Sequence, residues 1–114
     1  MNNRLLQLGY TTMSLDKKYL KSRPACKVKF TVPPELAREA KKVYLAGDFN
    51  NWEFQDTQLK RQKDGTYATI LEVEAGAEYE YRYVLDGERW ENDYEADKYV
   101  PSKICAADNS VVVV

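Results

Sequence analysis

Two tryptophans, Trp52 and Trp90, each lie just beyond a turn rich in Gly, Asp and Asn. Trp52 closes the run Gly47-Asp48-Phe49-Asn50-Asn51-Trp52, and Trp90 follows Asp86-Gly87-Glu88-Arg89. The turns themselves are ordinary, because Gly, Asn and Asp tolerate left-handed backbone angles or satisfy local backbone groups. The indoles are not. An indole is costly to leave wet, so it is either a core residue or a flat platform kept outside for a ligand. Two of them at loop edges point to a surface that stacks on something flat, with sugar rings as the leading candidate.

The rest of the composition narrows the chemistry further. Histidine is absent, which removes the commonest general base and the commonest transition-metal ligand, so neither a metal nor a cofactor is expected. The cysteines, Cys26 and Cys105, are far apart and in no metal-binding spacing. Two reduced, buried thiols are the main reading, and a bridge between the first and last strands is the other. Lys and Arg total 17 against 18 Asp and Glu, with no long single-sign block, which argues against nucleic acid and acidic membrane as partners. The apolar run in Arg4-Leu5-Leu6-Gln7-Leu8 is too short and broken for a signal peptide or a membrane span, so a soluble, cytoplasmic protein is expected. Asp48, Glu88, Glu91 and Asp93 could form the acid–base pair of a glycosidase, which needs carboxylates about 5–9.5 Å apart. A sandwich of this size offers no deep cleft to exclude water, so an enzyme is not expected.

The elements that must hold these residues are short strands. At 114 residues the chain has room for one domain with one core. Residues 1–24 read as an N-terminal extension, with Met13 a second plausible start and residues 1–12 disordered in that case. Within it, Ser14 can cap a short helix over residues 14–23, because Leu15, Tyr19 and Leu20 share a face at roughly helical spacing. From Cys26 the period becomes two: Cys26, Val28, Phe30 and Val32 alternate with Lys27, Lys29 and Thr31, and Pro33-Pro34 stops the strand. Residues 43–46 form the next strand and lead into the Trp52 turn. Residues 58–62 and 66–73 pair across Lys63-Asp64-Gly65. In residues 78–85, Tyr79, Tyr81, Tyr83 and Leu85 line one face, while Glu80, Arg82 and Val84 line the other. The final Val111–Val114 run is an inner strand, since an exposed edge of that composition would invite aggregation. Strands with turn signals every 8 to 12 residues describe an all-β sandwich.

In that order of elements a family likeness emerges. The stretches Val43 to Trp52, Asp64-Gly65-Thr66-Tyr67, Tyr81 to Gly87, then Trp90, Asp93 and Asn109-Ser110-Val111-Val112 resemble the glycogen- and starch-binding early-set modules, carbohydrate-binding module family 48. Such modules occur at the front of isoamylases and branching enzymes, and a related copy is the glycogen-binding domain of the AMP-activated protein kinase β subunit. The likeness covers about residues 25–114, and in particular the chain looks like the small free-standing isoamylase early-set domain proteins. It implies an immunoglobulin-like early-set sandwich without catalytic activity that binds an α-glucan (glycogen, starch or maltooligosaccharide). It further implies sugar platforms at Trp52 and Trp90, hydroxyl contacts from Arg82 and a hydrogen bond from Asn109. A free-standing module of this kind would recruit a separately encoded glycogen-metabolising enzyme or kinase. The chain departs from the kinase subunit's version in three places. Cys105-Ala106-Ala107 stands where that version has Leu-Gly-Thr, which removes the Thr hydroxyl. Arg stands in place of a Lys. One extra residue lies between Gly87 and Trp90.

Each site residue also has a structural reading. Trp52 can cap one end of the core. Arg82 can be a solvated strand residue paired with Glu80 or Glu91. Asn109 can be a turn residue that satisfies backbone groups. For Trp90 the matter is register. A two-residue Asp86-Gly87 turn pairs Tyr83 with Trp90 and sends the indole to the core face, as the Asp-Gly dipeptide favours. A three-residue turn, or a bulge, pairs Val84 with Trp90 and sets it beside Arg82; the extra residue favours this arrangement. Alongside glucan binding stands a second function, a protein-interaction sandwich that has kept the fold and lost the sugar. Phe49, Leu45, Tyr81 and Tyr83 are expected in the core, and Asp93 is expected to fix the loop after Trp90.

Overall fold

A computed structural model describes residues 14–114 of the chain. Their strands are β1 (Leu15–Tyr19), β2 (Ala25–Val32), β3 (Val43–Gly47), β4 (Gln58–Arg61), β5 (Tyr67–Glu74), β6 (Glu78–Leu85), β7 (Arg89–Glu91), β8 (Lys98–Pro101) and β9 (Asp108–Val113). All pairings are antiparallel, in the order β1-β2-β5-β4-β3-β6-β9-β8, with β7 beside β6. The expected all-β sandwich is the architecture. One strand turns the corner between its layers: Gln58 and Leu59 of β4 pair with β3, whereas Lys60 and Arg61 pair with β5.

Period-two alternation explains the core. Cys26, Val28, Phe30 and Val32 of β2 are buried while Lys27 and Lys29 are exposed. They meet Leu45, Tyr81, Tyr83 and Leu85 from the opposite layer, and the Phe30 and Tyr81 rings pack edge to face at 5.1 Å. Phe49 packs against this cluster as expected, and Val111 and Val112 are inner residues of β9, which is paired on both edges.

The expected helix over residues 14–23 is not formed; β1 replaces it, pairing with β2 from Leu15↔Phe30 to Tyr19↔Cys26. A ten-residue helix has only weak intrinsic stability. The strand instead buries Leu15 and engages β2 along its length, leaving Tyr19 54% exposed. The extension of residues 1–24 therefore contributes a strand to the sandwich, while the second start at Met13 and the disordered tail of residues 1–12 lie outside the described residues.

Asp93 fixes the loop after β7, as expected, through a buried hub. At 3% exposure, its Oδ2 accepts from Ser14 Oγ at 2.5 Å and from the Tyr81 hydroxyl at 2.6 Å, and its Oδ1 accepts from the Glu95 amide at 2.9 Å. Burial above all, joined by the neighbouring Asp93 carboxylate, pushes the Tyr81 and Tyr83 hydroxyls well above the ordinary tyrosine range.

Candidate functional site

The Trp52 turn is built by Gly47 and Asn50. A Cβ on Gly47 would come within 2.7 Å of both the Glu80 carbonyl and the Phe49 ring, so only glycine lets β3 end against β6 here. Asn50 then ties the turn from inside. Its Oδ1 accepts from the Gly47 amide at 3.0 Å, and its Nδ2 donates to the Leu45 carbonyl at 2.9 Å and to Thr57 Oγ1 at 3.1 Å. Asn51 and Trp52 follow with φ of 55° and 62°. Asn adopts that region at modest cost, but for Trp it is an outlier, strained by about 1–3 kcal/mol. The strain is held by the Trp52 amide, which donates to the Gly47 carbonyl at 2.9 Å. The indole is held separately: its Nε1–H donates to Asp48 Oδ1 at 3.1 Å, and Asp48 Oδ2 accepts from the Glu80 amide at 2.8 Å.

The second tryptophan is set by a bulge. The Glu88 amide donates to the Leu85 carbonyl at 3.1 Å, closing a tight turn with Asp86 and Gly87 at φ of 56° and 72°. Glu88 is then left over, and the register resumes at Leu85↔Arg89 and Val84↔Trp90. The Asp-Gly turn and the longer register thus coexist, and Trp90 lies on the outer face with Arg82, 41% exposed. Phe54 braces it edge-on at 5.9 Å, and Tyr44 braces Phe54 at 5.2 Å.

Arg82 occupies a junction. The β6 edge pairs with β9 up to Tyr81↔Ser110 and with β7 from Tyr83↔Glu91, so Arg82 lies where one partner strand gives way to the other. Its Nε–H donates to Asn109 Oδ1 at 2.8 Å, and Asn109 Nδ2 donates to Glu80 Oε1 at 2.9 Å. Asn109, at 6% exposure, is more than a turn residue; it orients the guanidinium. Arg82 is half-buried and held across the sheet, and its partner there is Asn109 rather than Glu80 or Glu91.

Trp52, Arg82, Trp90 and Asn109, the residues singled out from the sequence, line one cavity of about 460 Å³ together with Asp48, Glu80 and residues 102–105. Neither indole is swallowed by the interior: Trp52 is half-buried and Trp90 more exposed. Several lining residues escaped sequence reasoning. Asp48 and Glu80 act through contacts that only the fold creates. Ile104 is 94% exposed at the rim, an apolar side chain offered to solvent beside the tryptophans. Its one available signal is a large aliphatic residue between Lys103 and Cys105 in a loop otherwise of small or polar residues.

The cysteines correct part of the expectation. Both are free thiols, with no bridge between the first and last strands, and Cys26 is buried as expected; Cys105 is exposed at the cavity, because it sits on a loop and not on a strand. Hydrogen bonding from the Ser102 hydroxyl, then the Ala107 amide and the Arg82 guanidinium, lowers its pKa to about 7. The Arg82 Nη2 lies 3.4 Å from the sulfur.

The carboxylates weighed for catalysis do not converge. Asp93 is buried in its hub, Glu91 pairs with Arg89 at 3.3 Å, and Glu88 is exposed in its turn. Only Asp48 reaches the cavity, with both oxygens engaged. Among the described residues no group of three or more His, Cys, Asp or Glu could hold a metal ion, and no helix is long and apolar enough to cross a membrane.

A family model described as the glycogen recognition site of AMP-activated protein kinase matches residues 34–109. No curated protein matches the chain.

Proposed function

Since the chain belongs to the family of the glycogen recognition site of AMP-activated protein kinase, we propose that it binds α-glucan without catalysis, by stacking glucose units on Trp52 and Trp90. The observation that carries this reading is the meeting of both indoles with Arg82 and Asn109 around one outward-facing cavity. Glucose presents a C–H face that lies flat on an indole and a rim of hydroxyls that needs fixed partners. Arg82 keeps guanidinium donors beyond the one given to Asn109, and Asn109 keeps one amide hydrogen. The scattering of the candidate carboxylates favours binding over hydrolysis.

Affinity comes mainly from stacking, because each hydroxyl bond nets only about 0.5–1.5 kcal/mol in water. With ordering costs, maltooligosaccharides bind in the micromolar range or more weakly. The free thiols fit a reducing, cytoplasmic setting. There the module would bring a separately encoded glycogen-metabolising enzyme or kinase to its polymer. The test is retardation in a native gel containing glycogen, with Trp52→Ala and Trp90→Ala beside the wild type. Retardation lost in both variants supports the reading, and a wild type that runs unretarded overturns it.

A further inference from the structure

Away from the indoles, a second groove runs between residues 33–42 and the β4–β5 hairpin. Two open cavities of about 560 and 720 Å³ meet there, sharing Ala40, Arg61 and Tyr67 as walls. They have no lining residue in common with the tryptophan cavity. We propose that this groove docks an extended acidic segment of a protein partner.

The groove is electrically one-sided. Arg38 and Arg61 line the first cavity, and Lys41, Lys60 and Arg61 the second, with Glu35 the one acidic lining residue of either. Asp86 stands beside Lys41, accepting from its backbone amide at 2.8 Å. None of the ion pairs among the described residues involves Arg38, Lys41, Lys60 or Arg61. Four cations gathered on a concave surface repel one another, in a chain whose net charge is −1, and an anionic occupant relieves that repulsion.

The walls are preorganised. Leu36 and Ala37 amides both donate to the Pro33 carbonyl, the Ala40 amide donates to Ala37, and the Tyr67 hydroxyl donates to the Ala40 carbonyl at 3.3 Å. Two guanidiniums suit carboxylates, which they grip bidentately. Tyr67 is the only aromatic lining residue, whereas single-stranded nucleic acid is held by successive aromatic platforms. The small apolar surface from Ala40 and Tyr67 suits an occasional aliphatic residue among the acids. An acidic partner here would leave the indole face open, so one molecule can hold both at once.

The test titrates the full chain with a fluorescein-labelled peptide of about twelve residues repeating Glu-Glu-Leu, read by polarisation, with an oligo-dT strand and inorganic polyphosphate as competitors. Saturable peptide binding is expected, weakening about tenfold between low and physiological salt. Arg38→Glu with Arg61→Glu should reduce it at least tenfold while leaving glycogen retardation intact, and Trp52→Ala should leave peptide binding unchanged. The proposal is overturned by three results: absence of saturable binding, binding indifferent to the charge reversals, or oligo-dT or polyphosphate binding more tightly than the peptide. Glycogen retardation read in the same samples separates failure of this groove from failure of the glucan site.

Discussion

The Nε–H of Arg82 donates to Oδ1 of Asn109, 2.8 Å away and 27 residues along the chain, fixing the guanidinium plane at the mouth of the tryptophan cavity. Asn109 also donates to Glu80 Oε1, so it bridges the guanidinium of Arg82 and the carboxylate of Glu80. Asn109→Ala should therefore weaken maltoheptaose binding about tenfold and lower stability by about 1–2 kcal/mol, the cost of a buried polar contact left unmade. Calorimetric titration and urea unfolding separate the two effects. Lost stability with unchanged affinity would reduce Asn109 to a structural residue.

Asp48 holds Trp52 by its indole N–H and holds the turn to β6 through the Glu80 amide. Asp48→Ala should release the ring, so that ordering it becomes part of binding, at about 1 kcal/mol or a fivefold weaker affinity. Near-ultraviolet circular dichroism should lose tryptophan fine structure in this variant. Asp48→Asn keeps one acceptor oxygen for two donors and should fall between Asp48→Ala and the wild type in both signals.

Cys105, with a pKa of about 7, should alkylate with iodoacetamide at a rate that rises through neutral pH, while buried Cys26 stays inert. Saturating maltoheptaose should slow the reaction, because the sulfur borders the same cavity as both indoles. Mass spectrometry of timed samples gives both rates. Equal labelling with and without sugar would place the glucan elsewhere.

Alkaline stability follows from Tyr81 and Tyr83. Both hydroxyls are raised above their ordinary value near 10, by burial first. Their contribution is complete below the unfolded pKa and is lost as pH rises above it, because unfolded tyrosines then ionise while folded ones stay protonated. Unfolding free energies from urea titrations should be flat in this respect from pH 8 to about 10, then fall by up to about 1.4 kcal/mol per pH unit for each tyrosine. Tyr83→Phe should shallow that slope with little other loss, since its 3.5 Å contact to Asp93 is the longest in the hub.

How legible all this was in the chain depends on the range of the interaction. Alternation in β2 and β6 carried the core directly, because side-chain direction is a local property of a strand. The outward setting of Trp90 was legible from one supernumerary residue, which became the Glu88 bulge. Residues 14–23 misled because Leu15, Tyr19 and Leu20 suit a helix when viewed alone, whereas β2 supplies a partner edge that local spacing does not record. Asp48 and Glu80 were illegible as a tether because 32 residues separate them. Cys105 is exposed because its loop faces the cavity, a placement that composition and spacing do not record.

The sandwich is closed differently along its two margins. On one side β4 lends its first half to one layer and its second half to the other, so main-chain hydrogen bonds run unbroken around the corner like the spine of a book. On the side where β1 meets the segment after β7, the covers are fastened by side chains, through the Lys17–Asp97 ion pair at 2.7 Å and the bond from Ser14 to Asp93. A spine made of backbone is indifferent to ionic conditions, but a clasp of charge and carboxylate is not. The molecule should thus part first at its fore-edge, as salt is raised, with the indole-bearing cover still bound into the volume.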